Sequence, residues 1–161
     1  MSVKPPEFTI IQDTREQTPW SFNFEYTVAQ EISTLQTGDY TIQGMEDVLC
    51  IERKGCIEEF ATNLGKDFSR FKKELIRMDK FPHSFIICEF PLKDLIEYPF
   101  HNHNARLQQV AKIGGKYLLK QIMEIQLDHK VKIMFCSNRF YAQQLALSLM
   151  KRTHERYRQK T

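Results

Sequence analysis

Two acids and a lysine stand in this sequence at a spacing suited to cutting a phosphodiester. Asp39 follows Gly38 at a turn, and Glu52 and Lys54 lie two residues apart at the end of the apolar run Val48-Leu49-Cys50-Ile51. Alternate side chains of a strand face the same way, so Glu52 and Lys54 share a face, and a hairpin returns Asp39 alongside them. Two carboxylates converging there make a hard oxygen site for Mg2+, with Mn2+ as a substitute, and a strand kink would add the Arg53 backbone carbonyl as a third ligand. A cation so held lowers the pKa of a bound water and polarises the phosphate, while Lys54 orients the water or steadies the charge on the phosphoryl oxygens. Asp13 ends the run Phe8-Thr9-Ile10-Ile11-Gln12 and is placed to reach the same metal or a second one.

The elements that must position these groups follow from periodicity. Phe8 to Gln12 reads as a first strand, Tyr26 to Leu35 as a second, Tyr40 to Gln43 as a third and Val48 to Glu52 as a fourth, the last two forming the hairpin. From Ile57 the period turns helical: Ile57, Phe60 and Leu64 suit one face, and after Gly65 so do Phe68, Phe71, Leu75 and Met78. The continuous apolar run between His83 and Glu89 marks a central strand covered on both sides. Ala105 to Leu127 reads as helix, with Gly114-Gly115 marking either a break or a close approach to another helix, and Val131 to Cys136 as a further buried strand. Asn138 caps a last helix whose apolar stripe is Tyr141, Leu145 and Leu149, with a basic end free to fray. The order predicts one α/β domain over residues 1–161, with a mixed central sheet flanked by helices.

Composition bounds the partners. The formal charge is only +3, yet the tail from about residue 151 carries Lys151, Arg152, Arg156, Arg158 and Lys160 against Glu155 alone. A second basic group, Lys66, Arg70, Lys72, Lys73, Arg77 and Lys80, is diluted by Asp67, Glu74 and Asp79. Such clusters either neutralise phosphates or form solvated helix faces. The four cysteines are far apart and three border apolar runs, which argues against a disulfide framework or zinc site. Neither a signal peptide nor a membrane-spanning run is evident, so the expected location is the cytoplasm, at the nucleoid in a bacterium, with no membrane partner.

Three blocks together carry a family resemblance. Asp13-Thr14-Arg15-Glu16, Thr37-Gly38-Asp39-Tyr40 and Ile51-Glu52-Arg53-Lys54 occur in the order and at the spacing of XPF-type structure-specific endonuclease domains, a branch of the PD-(D/E)-x-K superfamily with the restriction-endonuclease-like fold. The helix from Ile57 and the pair Arg70-Phe71 resemble that family's next helices. The resemblance implies that Asp39 and Glu52 are metal ligands, Asp13 a further acid at the metal and Lys54 the catalytic lysine. It makes Arg15 and Arg53 site-shaping or phosphate-contacting, and Arg70, with nearby Lys66, contacts to the DNA backbone. It further implies hydrolysis of branched, flapped or single-strand/double-strand junction DNA in repair, recombination or mobile-element processing, by a short version without a helix-hairpin-helix module. A homodimer or partner subunit would then supply DNA specificity. The family also includes non-catalytic DNA-binding partner subunits, which have lost the acids and lysine retained here.

Other features read as structural. His101-Asn102-His103 lacks the remaining ligands of an HNH nuclease and follows Pro99 in a loop. Trp20 either stacks on a base or closes the core edge, and His83 precedes a buried strand.

Overall fold

The structure, a computed structural model, describes residues 2–160. Its centre is a six-stranded sheet of β1 (Phe8–Asp13), β2 (Val28–Ser33), β3 (Tyr40–Ile42), β4 (Leu49–Lys54), β5 (His83–Cys88) and β6 (Lys132–Phe135), in the order β2-β1-β3-β4-β5-β6. β1 runs parallel to β2 and antiparallel to β3, β3 and β4 form the expected hairpin, and β4, β5 and β6 are mutually parallel. The mixed α/β architecture is therefore as the residue order predicts.

Helices α1 (Ile57–Leu64), α2 (Phe68–Met78), α3 (Leu92–Glu97), α4 (Ala105–Val110) and α5 (Gly115–Asp128) contrast with α6 (Arg139–Arg158), which closes the opposite core. Alternation along β4 divides the two. Cys50 joins Phe60, Phe71, Leu75 and Ile86 in one core, whereas Leu49 and Ile51 join Ile10, Tyr40, Ile87 and Met150 in the other. Glu52 and Lys54 are in phase with Cys50 and so lie on the α1–α2 side.

Several boundaries differ from expectation for identifiable reasons. The helix read over Ala105–Leu127 is broken into α4 and α5, with Ala111 extended between them. Gly115 opens α5 against α3: a Cβ there would stand 1.8 Å from the Ile96 carbonyl oxygen. That contact also explains α3, which periodicity passes over because six residues span less than two turns. β6 is a partly exposed edge strand, not a covered one, and the flanking Val131 and Cys136 are the buried residues.

The last helix buries Ala142, Ala146, Leu147, Met150 and Thr153 instead of the stripe Tyr141, Leu145 and Leu149; Tyr141 is exposed. Small residues let the backbone approach the sheet, which rotates the larger side chains to the flanks. Asn138 does cap it, its side chain accepting from the Tyr141 N–H at 3.1 Å. The basic end does not fray: helix continues to Arg158, Tyr157 Oη meets His83 Nε2 at 3.1 Å, and Lys151 pairs with Glu25.

Candidate active site

The hairpin places its acids through backbone geometry. Gly38 holds φ +85° and lies against β4, where a Cβ would meet Cys50 Sγ at 2.6 Å; only glycine accepts both conditions. Asp39 is thereby pinned between two strands: its N–H donates to Ile51 O at 2.8 Å, and its carbonyl accepts from the Asp13 N–H at 2.8 Å. Asp39 Oδ2 in turn accepts from the Arg53 N–H at 2.8 Å.

Glu52 and Lys54 project together from the end of β4, with Lys54 Nζ 3.5 Å from Glu52 Oε1 and 3.8 Å from Glu59 Oε1. The Lys54 ammonium also sits 5.4 Å over the Phe71 ring of α2. Glu59 of α1, exposed at the rim, lines one hollow of about 350 Å³ with Asp39, Glu52 and Arg15. A second hollow of about 240 Å³ joins Glu52 and Lys54 to Arg70 and Glu74.

The electrostatics are those of crowded, buried acids that Lys54 only partly offsets. Burial, then the neighbouring Asp39, pushes the Glu52 carboxyl up to about 8, with Lys54 opposing. Burial likewise raises Asp39 to about 6, against the Arg53 N–H and with the charge of Glu16 adding. Burial alone would lower the Lys54 ammonium, but Glu52, Glu59 and Glu74 outweigh it and hold the lysine charged.

Asp13 reaches the same end of the sheet, but its carboxylate is committed. Oδ1 accepts from the Leu35 N–H at 2.8 Å and from Arg15 Nη2 at 3.3 Å, and Oδ2 accepts from the Arg15 N–H and Nε. Burial disfavours its charge, yet Arg15 and Leu35 prevail and hold it below the usual carboxylate range. Asp13 thus fastens Arg15 and the Leu35 segment beside the acids. Among the described residues no three His, Cys, Asp or Glu side chains gather into one metal-binding group.

Arg53 is not exposed to a substrate. Its side chain is 9% exposed, bound by Glu16 through Nε at 2.8 Å and Nη2 at 2.9 Å, by Glu89 through Nη1 at 3.0 Å, and by Thr18. Of the two roles implied for it, shaping the site is the one this geometry serves. Arg70 and Lys66 are exposed, and Arg70 faces the hollow holding Glu52 and Lys54.

Glu16 and Glu89 have no assigned role in the sequence reading. Glu89 also accepts from Trp20 Nε1 at 2.6 Å and pairs with Arg139 at 3.4 Å, so Trp20, 1% exposed, closes the core edge. The signal for Glu89 was an acid directly after a buried strand, the same mark that singled out Asp13. His101 binds Glu58 at 2.8 Å and stacks on Tyr98, a structural placement.

The site thus consists of paired carboxylates and a lysine at the end of a hairpin strand in a mixed α/β sheet. Residues 12–148 match the ERCC4 domain, and the chain belongs to that family. Among solved structures it is similar to XPF from Aeropyrum pernix, with TM-score 0.66 and 20% identity over 90% of this chain and 61% of that one. It is also similar to XPF from Aeropyrum pernix in complex with DNA, with TM-score 0.66 and 20% identity over 92% of this chain and 66% of that one. The chain thus spans about three fifths of the first of these. No curated protein matches significantly. Among the described residues, no helix is long and apolar enough to cross a membrane.

Proposed function

We propose that this protein is a metal-dependent DNA endonuclease that hydrolyses phosphodiesters at branched, flapped or single-strand/double-strand junctions. The observation that carries the reading is the convergence of Asp39 and Glu52 on one hollow, with Lys54 Nζ 3.5 Å from Glu52 and both carboxyls raised chiefly by burial.

The donor set suits a hard divalent cation such as Mg2+ or Mn2+. Asp39 Oδ2 is occupied by the Arg53 N–H, which leaves Oδ1 and the Glu52 carboxylate as ligands, with the Arg53 carbonyl as a third. The cation would supply an acidified water and polarise the phosphate. Lys54, fixed over Phe71 and held charged, orients the nucleophile or binds a phosphoryl oxygen. Arg15 faces the same hollow as Asp39 and Glu52 and contacts the phosphate; Asp13 positions it. Arg70 and Lys66 hold the flanking backbone. A cytoplasmic site of action and a partner copy or subunit that selects the DNA structure belong to the same proposal.

Incubating the protein with flapped, forked and linear DNA in Mg2+ or Mn2+ tests the reading. Cleavage abolished by Asp39→Ala and by Glu52→Ala supports it; cleavage undiminished by either overturns the assignment. A second reading, a DNA-binding partner subunit without activity, is favoured by the hydrogen bonds that occupy both oxygens of the Asp13 carboxylate. It predicts salt-dependent DNA binding with no cleavage under any divalent metal.

A further inference from the structure

A hollow that does not contain the paired acids adjoins them. This groove of about 600 Å³ lies between the Thr34–Thr37 segment, the β3–β4 turn and the end of α2; Thr37, Glu46, Asp47, Arg77, Lys80 and Phe81 line it. Arg77 also lines the hollow that holds Glu52, Lys54 and Arg70, so one guanidinium borders both spaces. The Leu35 end of the groove is the segment that the Asp13 carboxylate fastens.

The groove has two chemically different walls. Arg77 and Lys80 are exposed, and among the described residues their side chains have neither ion-pair nor hydrogen-bond partners. Arg15, Arg53 and Arg139 are each paired with acids, Arg15 with Asp13, Arg53 with Glu16 and Glu89, and Arg139 with Glu89, whereas Arg70 faces the neighbouring hollow of Glu52 and Lys54. Uncommitted cations beside a polar groove bind phosphate. Glu46 and Asp47, exposed at the turn, repel phosphate but accept hydrogen bonds from base N–H groups. The volume falls within the range of pockets that take ligands of nucleotide size.

Building on the nuclease reading, we propose that this groove takes an unpaired nucleotide of the DNA strand, next to the phosphate held at Asp39 and Glu52. The sugar-phosphate lies against Arg77 and Lys80, and the base edge faces Glu46 and Asp47. A paired base has its Watson–Crick edge occupied and offers that wall only the exocyclic N–H it shows in a groove, so the groove favours single-stranded over duplex DNA on one side of the cut.

The test is fluorescence anisotropy of a labelled single-stranded dodecanucleotide of mixed sequence and of a blunt duplex, both in EDTA so that no cutting intrudes. The double variant Arg77→Gln/Lys80→Gln is compared with Lys72→Gln/Lys73→Gln, which removes the same charge from exposed positions of α2 outside the groove. The groove variant is expected to weaken single-strand binding about tenfold and to flatten its salt dependence by about 1.4 in log–log slope. The control variant and the duplex should each change less than about twofold. Equal losses in both variants, loss of duplex binding to the same degree, or no loss in the groove variant would each overturn the proposal. Binding as expected from a protein that cuts no DNA would sink the nuclease reading and leave the groove assignment standing.

Discussion

Glu52 and Asp39 repel each other inside a partly buried site, and that repulsion sets a sign for pH dependence. Each folded-state pKa, about 8 and about 6, lies above its ordinary value, so the folded protein binds protons more tightly than the unfolded chain. Without metal, stability therefore falls as pH rises from about 4 through about 8 and levels off above that. Glu52→Gln should raise the Tm in EDTA at pH 8 by about 3–8 °C and leave it little changed near pH 4. Saturating Mn2+ should stabilise the native protein but not the variant. Melting curves across pH with and without Mn2+ check this, and a Tm that rises with pH in EDTA contradicts it.

Arg53 makes the opposite case, a buried charge that is fully paired. Removing it in Arg53→Ala strands Glu16, 6% exposed, and leaves Glu89, 7% exposed, to Arg139 and Trp20 alone, and should cost about 3–5 kcal/mol in urea unfolding. Arg53→Lys should recover only a minor part, because a single ammonium cannot bridge Glu16 in two places and Glu89 in a third. Recovery to within about 1 kcal/mol of the native protein would show that charge alone is what matters there. The convergence of Asp39, Glu52 and Lys54 was legible in the sequence because it arises within one local hairpin. The commitments of Asp13 to Leu35 and of Arg53 to Glu16 and Glu89 were not, since each joins segments far apart in the chain.

At the scale of elements, two glycines govern how the site is framed. Gly38 admits the hairpin turn that aims Asp39, and Gly115 lets α5 seat on α3. Gly115→Ala puts a methyl carbon into the Ile96 carbonyl; the helices must separate, at a cost of about 1–3 kcal/mol despite the better helix propensity of alanine. An unchanged urea midpoint would mean that this contact is not held in solution. The sheet strands, α1, α2 and α6 were readable because each shows several periods of apolar spacing. The break before α5 was signalled by Gly114-Gly115, but the short α3 was hidden, since its contact with Gly115 through Ile96 is announced by no local pattern. The buried stripe of α6 was misplaced for a related reason: alanines at the closest approach carry less hydrophobic signal than the leucines displaced to the flanks.

At the scale of the whole molecule, the sheet divides two cores and exposes the carboxyl ends of its parallel strands on one side. β4 and β5 end there at Lys54 and Cys88, with Glu89 next in sequence, and α6 begins just beyond β6 with Arg139 joined to Thr18 and Glu89. The architecture thus gathers, at one edge, acids contributed by β1, the hairpin and β5. The proposed active site lies at that edge, where the paired acids and Lys54 converge. The most direct measurement is the single-turnover cleavage rate of a flapped DNA substrate in Mn2+, for the native protein and Glu52→Gln, at protein concentrations that saturate binding for both. The site described here predicts a loss of at least about 10²–10³-fold in the variant, with DNA affinity retained. Equal rates would contradict it.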